Sequence, residues 1–341
     1  MLEICKPQGM AFKYLIVSEK EVMKGVIYLQ ELHIVSSHFD GTVLDKQWLT
    51  WLKKCINNQF SDVLICGNLF RIHFPGYFFK DPLDEPLIFD LLTDYLNADK
   101  RNNRFCGILL KDCPRTFSPR GKFKPYRDDV TMELVIRPEW KSFEDYTKML
   151  SKKYLQRCKK IRKAAEALVV KELDLEQIIE GSSRIEELYR NVALKQSFRI
   201  GLVNAAYFSA MKRKYGRLFK FRAYYLQNHM VAFSTYIYYP DDSMEIHFIG
   251  IDYTVNETYS LYFNILFDGA EEAMIRGCKR LELGRTARTA KASLGAEAVQ
   301  VHNYIFLKKG IPSLAFSFFN TWFVNKMGEE WMDRKPFKEI K

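Results

Sequence analysis

Between Leu218 and Gly284 the chain carries three β-type runs, two turns, an amphipathic helix and a short fourth strand, a series that few folds accommodate. "LFKFRAYYL" (218–226) and "MVAFSTYIYY" (230–239) are rich in aromatic and β-favouring residues and flank Asn228-His229, which predicts a hairpin. Pro240-Asp241-Asp242 turns the chain again before "MEIHFIGI" (244–251), so the three strands form an antiparallel meander. In the next stretch Leu261, Ile265, Leu266, Ala270, Ala273 and Met274 recur at helical spacing, with Asn256 placed to cap the start and Gly277 the end. "KRLELG" (279–284) follows as a strand, and strand-helix-strand implies a right-handed crossover between parallel neighbours. A helix ending near Gly295 and a last strand, "VQVHNYIF" (299–306), complete the unit. The expected class is α/β with α+β character: a mixed, mostly antiparallel sheet with a βαβ crossover.

The amino-terminal half reads as a weaker copy of this plan. "SDVLICGNLF" (61–70), "EPLIFDLLTDYLNA" (85–98), "RFCGILLKD" (104–112) and "VTMELVIR" (130–137) read as strand, helix, strand and strand. Between the halves, "SFEDYTKMLSKKYLQRCKKIRKAAEAL" (142–168) predicts one long helix or two abutting ones, with Ser142 and Asp145 as a capping-box variant. The segment "CPRTFSPRGKFKPYR" (113–127) holds three prolines, five Lys/Arg and no acid, and predicts a mobile basic loop, either a flap over an anionic ligand or merely solvated.

A net charge of +11 favours anionic partners, whether nucleic acid, a phosphorylated cofactor or a lipid headgroup. Seven cysteines with no Cys-x-x-Cys pair, and no His spacing suited to zinc, predict a reducing, cytoplasmic setting and no metal centre. The start of the chain lacks the apolar core of a secretory signal. "IPSLAFSFFNTWFV" (311–324) is shorter than the roughly 20 residues that span a bilayer. It reads as an amphipathic aromatic helix, packed on the body of the protein or in peripheral contact with a membrane surface.

Three places could carry chemistry. In "LELGRTARTAKASLGAE" (281–297) a strand ends at Gly284, and Arg285, Arg288 and Lys291 follow at steps of three. Ligands gather at the carboxyl ends of parallel strands, a helix start offers free N–H groups, and guanidinium forks suit phosphate oxygens. A phosphate-bearing guest and an ordinary solvated helix face are the two readings. On the helical stretch expected within 142–168, Lys153, Arg157 and Lys160 belong to a crowded cationic face opposite Tyr154, Leu155, Cys158 and Ile161. That face meets an anion, such as RNA, or simply water. Glu245 and His247, two apart on a predicted strand, point to one face with Met244, Ile246 and Phe248 on the other, and could relay a proton. Tyr262, Ser293 and His302 are further candidates. The sequence lacks G-x-S-x-G, H-E-x-x-H, Walker A and G-x-G-x-x-G patterns.

These residues resemble a family. Met244 to Ala296 is similar to the second half of the GNAT-like acyltransferases related to the Fem-type (FemABX-like, CelD-like) aminoacyl transferases of peptidoglycan assembly, with Gly250, Gly277, Gly284 and Lys291 at matching positions. "SKKYLQRCKKIRKA" (151–164) resembles the Ser-Lys-x-x-x-x-Arg helix before the second domain of that group. The resemblance spans roughly 140 to 310 and implies tandem GNAT-like domains: 1–140 a degenerate copy, 141–216 basic linking helices, 217–341 the acyltransferase copy. It implies transfer of an acyl group to the amine of a small or cell-envelope-related acceptor. His247, Glu245 and Tyr262 would serve the chemistry. Gly284, Arg285, Arg288, Lys291, Lys153, Arg157 and Lys160 would hold phosphates. The implied co-substrate is acyl-CoA or aminoacyl-tRNA. Acetyl-CoA users of the superfamily carry an Arg/Gln-x-x-Gly-x-Gly/Ala loop where this chain reads "IGIDYTVNETYS", and basic residues suit a tRNA backbone. The alternative is a non-catalytic GNAT pair that binds RNA or an anionic envelope precursor.

Overall fold

The computed structural model describes residues 1–5, 7, 9–33, 62–71, 73–98, 102, 104–113, 117–195, 202–308 and 334–338. Its strands are β1 (Met10–Glu19), β2 (Val22–His33), β3 (Asp62–Cys66), β4 (Tyr77–Phe79), β5 (Phe105–Cys113), β6 (Lys124–Val135) and β7 (Val169–Glu172), then β8 (Phe219–Leu226), β9 (His229–Tyr238), β10 (Ser243–Ile251), β11 (Arg280–Gly284) and β12 (Glu297–Leu307). All belong to one twelve-stranded sheet in the order β1-β2-β3-β5-β12-β6-β11-β10-β9-β8-β7, with β4 paired to β2 off this path.

The two halves repeat one plan. β1 and β2 form an antiparallel hairpin, β3 pairs antiparallel to β2, and β5 returns parallel to β3. In the second half β8, β9 and β10 form the meander and β11 returns parallel to β10. Each copy then gives its last strand to the other. β6, from the first half, pairs with β11, while β12, from the second, pairs with β5, and β6 and β12 lie antiparallel at the centre. The sequence reading did not include the amino-terminal hairpin β1–β2, nor the short strands β4 and β7.

The helices, in chain order, are α1 (Leu2–Cys5), α2 (Ile88–Ala98), α3 (Phe143–Met149), α4 (Lys152–Ala164), α5 (Leu175–Glu180), α6 (Ser182–Ala193), α7 (Ala205–Tyr215), α8 (Tyr253–Tyr259), α9 (Leu261–Ile275) and α10 (Arg288–Ala292). The stretch from 142 to 168 is two abutting helices: α3 carries both bonds of the Ser142/Asp145 capping box, and the chain turns extended at Leu150 before α4. The crossover from β10 to β11 is also split, because Ser260 adopts a left-handed conformation between α8 and α9. Asp252 caps α8, Asn256 accepts the Tyr262 N–H at the first turn of α9, and Gly277 ends α9 at φ +68°.

The three largest apolar groupings among the described residues pack on the sheet. Met132, Leu134, Met244, Leu281 and Leu283 pack under α9, α3 and α4, through Leu266, Phe267, Ala270, Tyr146 and Ile161. Phe219, Phe221 and Phe233 meet α6 and α7 through Leu188 and Phe208. In the first half Leu29, Leu64, Ile108 and Leu110 pack against Phe89, Leu92 and Leu96 of α2. The basic segment expected as a loop at 113–127 is partly tied down: Phe117 stacks on Tyr77, Phe123 is buried against Phe89, and β6 begins at Lys124. The aromatic stretch at 311–324 lies outside the described residues. Among the described residues no helix is long and apolar enough to cross a membrane.

Candidate active site

Three carboxylates line up across the middle of the sheet. Glu245 of β10 is in register with Glu282 of β11, and Glu282 with Glu133 of β6. Residues in register share a face, and like charges directly opposite repel, so the row persists only if other groups answer it. At its head the parallel ladder stops. β10 runs on to Ile251, but its pairing with β11 ends at Glu245–Glu282, so the strands part beyond that pair.

Glu245 is buried and answered on both oxygens. His247 lies with Nδ1 2.5 Å from Oε1, and the Tyr239 hydroxyl donates to Oε2 at 2.6 Å. The Arg71 guanidinium stands 3.6 Å from Oε2, hydrogen-bonds the Tyr239 hydroxyl and stacks between the rings of Phe74 and Tyr239. Burial opposes the Glu245 charge, but His247, Arg71 and Tyr239 together outweigh it and hold the carboxyl below its ordinary value. With Nδ1 of His247 turned to the carboxylate, Nε2 on the far side of the ring meets the Tyr207 hydroxyl, 2.6 Å away. Burial, with the Glu245 charge nearby, pushes the Tyr207 hydroxyl well above its usual value, so it keeps its proton.

A bulge sets the ring in place. The β10–β9 register slips between Ile246 and Ile249, and Thr235, fully buried, clamps the bulge by accepting the Phe248 N–H and donating to the Phe248 carbonyl. This corrects the strict alternation expected from the sequence: Met244 and Ile246 face α9, but Phe248 swings to the side of His247, against Tyr189, Tyr207 and Phe208.

The other carboxylates meet groups from the first half. Glu282 accepts from the Thr131 hydroxyl at 2.7 Å, and burial, opposed by Thr131 and His73 but helped by Glu245 and Glu133, pushes its carboxyl up to about 7. His73 donates to Glu133 at 2.6 Å, which raises the imidazole above its ordinary value. Arg71 and His73 arrive on the loop after β3, whose ends are pinched: a Cβ on Gly76 would lie 2.1 Å from the Gly67 nitrogen. Asp112 accepts the Phe74 N–H and faces both Lys111, at 3.2 Å, and Arg285, at 3.5 Å.

The structure brings some of the expected site residues together and leaves others apart. Glu245 and His247 are in direct contact, and Arg285 turns toward Asp112 of β5. Arg288 donates from Nε to the Arg285 carbonyl, and the buried Lys291 places its ammonium beside Gly284. The helix that carries them, α10, has only five residues rather than the span of 286–294. Tyr262 packs among apolar residues beside Phe263. Lys153, Arg157 and Lys160 are exposed on α4, with Arg157 over the Phe263 ring, and it is Arg162 that turns inward, to Asp268 and Glu271. Ser293 bonds the Ala290 carbonyl, and His302 pairs with Cys113 in the sheet.

Sequence reasoning missed Arg71, His73, Asp112, Thr131, Glu133, Tyr207, Tyr239 and Glu282. Glu282 and Glu133 alternate with apolar residues in "LELG" and "MELV" and carry no local signal of a site; the strand exchange buries Glu133 and half-buries Glu282. Sequence spacing offered no metal ligands, yet His73, Glu133 and Glu282 converge from three separate segments.

No protein-family model matches the sequence, and no curated protein matches it. Solved structures do match in fold. FemX superposes with a TM-score of 0.55 at 9% identity, over 94% of this chain and 92% of that one. L-PGS from Bacillus licheniformis gives a TM-score of 0.51 at 10% identity, over 96% of this chain and 95% of that one. The C-terminal domain of a protein assigned as a lysylphosphatidylglycerol synthetase, from Agrobacterium fabrum, gives 0.51 at 9% identity, over 94% and 91%. Two meander-crossover units in one sheet, with these likenesses, make the fold of this chain the tandem GNAT-like fold of the Fem type.

Proposed function

We propose that the chain is an N-acyltransferase, moving an acyl group from an activated donor to the amine of a small or envelope-related acceptor. The observation that carries this reading is the parting of β10 and β11 beyond Glu245–Glu282, which opens a wedge beside an ordered polar network. A donor carbonyl held in that wedge would stand near Glu245, and an acceptor amine would dock on the ionised carboxylate that His247, Arg71 and Tyr239 keep in place. The amine attacks in its neutral form, the N–C bond forms as the C–S or C–O bond to the donor breaks, and the proton leaves to water or to Glu245. Orientation supplies much of the rate, so a strong protein base is not required. Arg285 and Arg288, after the end of β11, are assigned to donor phosphates, and Lys291 to the backbone at Gly284.

Of the two donor classes, the aminoacyl-tRNA ester is better supported than acyl-CoA. The helix start after β10, where the superfamily's pyrophosphate loop would lie, is capped by the Asp252 carboxylate, itself paired with Arg184. A pyrophosphate there would meet a like charge. The test is to supply purified protein with acyl-CoAs, following thiol release, and with charged tRNA, following transfer to amines. Amine-dependent transfer from charged tRNA without thiol release is expected. Tight binding of tRNA or an envelope precursor with no transfer from either donor would overturn the enzyme reading in favour of a binding module.

A further inference from the structure

We propose that His73, Glu133 and Glu282 form a binding site for a divalent first-row transition ion, of the Zn2+ or Mn2+ class, at the junction of the two halves. One donor atom from each lies within 4.8 Å of the other two. Three donors about 2.1 Å from a tetrahedral ion stand about 3.4 Å apart, so the site closes on an ion with a shift of about 0.7 Å per group. His73 can make that shift. It rides on the loop after β3 and its side chain is 41% exposed, whereas strand register holds the backbones of Glu133 and Glu282 and leaves their carboxylates to turn.

The donor set is a mixed one. One imidazole nitrogen with two carboxylate oxygens suits Zn2+, Mn2+ or Fe2+ and disfavours Mg2+ and Ca2+, which prefer oxygen alone. Charge points the same way, independently of the spacing. Glu245 is met by Arg71 and His247, and Arg285 and Lys111 are both turned to Asp112. Glu282, flanked in register by two carboxylates, takes its one hydrogen bond among the described side chains from the neutral Thr131 hydroxyl. A dication there would answer Glu282 and take the place of the His73 proton that now bonds Glu133, releasing that proton to water. The exposed side of His73 gives the ion a way in and leaves coordination positions for water.

Binding stands whether or not the chain transfers acyl groups, but one consequence rests on that reading: an ion on Glu282 sits beside Glu245 and repels the acceptor amine, so metal inhibits. The test uses the full chain without an affinity tag, stripped with a chelator and titrated calorimetrically with Zn2+, Mn2+ and Mg2+. One Zn2+ per chain is expected, with Mn2+ weaker and Mg2+ not detected. His73→Ala and Glu282→Gln, checked for fold by circular dichroism, should each weaken Zn2+ at least about tenfold. No Zn2+ binding, or equal affinity in both variants, overturns the proposal. So does an intense near-ultraviolet thiolate band on Co2+ loading, which would put the ion on a cysteine such as Cys106. In the transfer assay, Zn2+ should inhibit the native chain more strongly than His73→Ala. A chain that binds Zn2+ through these residues but transfers nothing keeps the site and loses the acyltransferase reading.

Discussion

Glu245 and Glu282 face each other across β10 and β11 as the last pair before the strands part, two carboxylates in one row, the first buried and the second half-buried, with opposite resolutions. The first is held charged by three neighbours, whereas burial pushes the second toward its neutral form.

Glu245 makes stability depend on pH. Its carboxyl sits below its ordinary value of 4.5 in the fold, so its contribution is fully present above that pH and is lost as pH falls through the lowered folded value. The difference in urea midpoint between the native chain and Glu245→Gln should therefore narrow between about pH 6 and pH 3. A gap that stays constant over that range would refute the assignment.

Arg162 fastens α4 to α9 through Asp268 and Glu271 and covers the rings of Phe143 and Phe267. Arg162→Ala leaves the buried Asp268 without its ion-pair partner and should cost about 1–3 kcal/mol in denaturant unfolding. Arg162→Lys should recover only part of this, because an ammonium cannot fork to two carboxylates while lying on two rings. Equal stability of Ala and Lys variants would count against the fork.

Two glycines should respond differently to alanine. At Gly250 an added Cβ would lie 2.1 Å from a Phe233 ring carbon and 2.8 Å from the Leu188 Cβ, with Phe233 fully buried, so Gly250→Ala should cost about 1–3 kcal/mol. At Gly269, inside α9, the nearest atom is the end of the flexible Ile246 side chain at 2.6 Å. Part of that cost is returned by the roughly 1 kcal/mol by which alanine exceeds glycine in a helix. Thermal unfolding should rank Gly250→Ala clearly below Gly269→Ala.

For the proposed donor site, Arg285→Lys combined with Arg288→Ala keeps a cation opposite Asp112 while removing both guanidinium forks. Donor binding should weaken several-fold in a filter or fluorescence assay while the unfolding midpoint moves little. Unchanged donor affinity would remove these residues from the site.

Much of the second half was legible because its signals are local. The hairpin around Asn228, the capping box at Ser142 and the α9 periodicity each sit within one turn or one pleat of their cause. Glu245 and His247 were found because a two-residue spacing on a strand is local too. Arg71 gave no such signal: it acts on Glu245 across the junction of the halves, and only the folded loop after β3 brings the two together. The β10 bulge was likewise hidden, because the Thr235 hydroxyl that stabilises it lies on another strand.

The exchange of β6 and β12 bears on how the chain is made. During synthesis β5 and β6 leave the ribosome well before β12, which must later insert between them. Until then the nascent sheet exposes two unsatisfied strand edges, each a template for wrong pairing. The arrival of residues 297–307 therefore joins the two halves of the sheet, and a chain truncated before that point should be prone to aggregate.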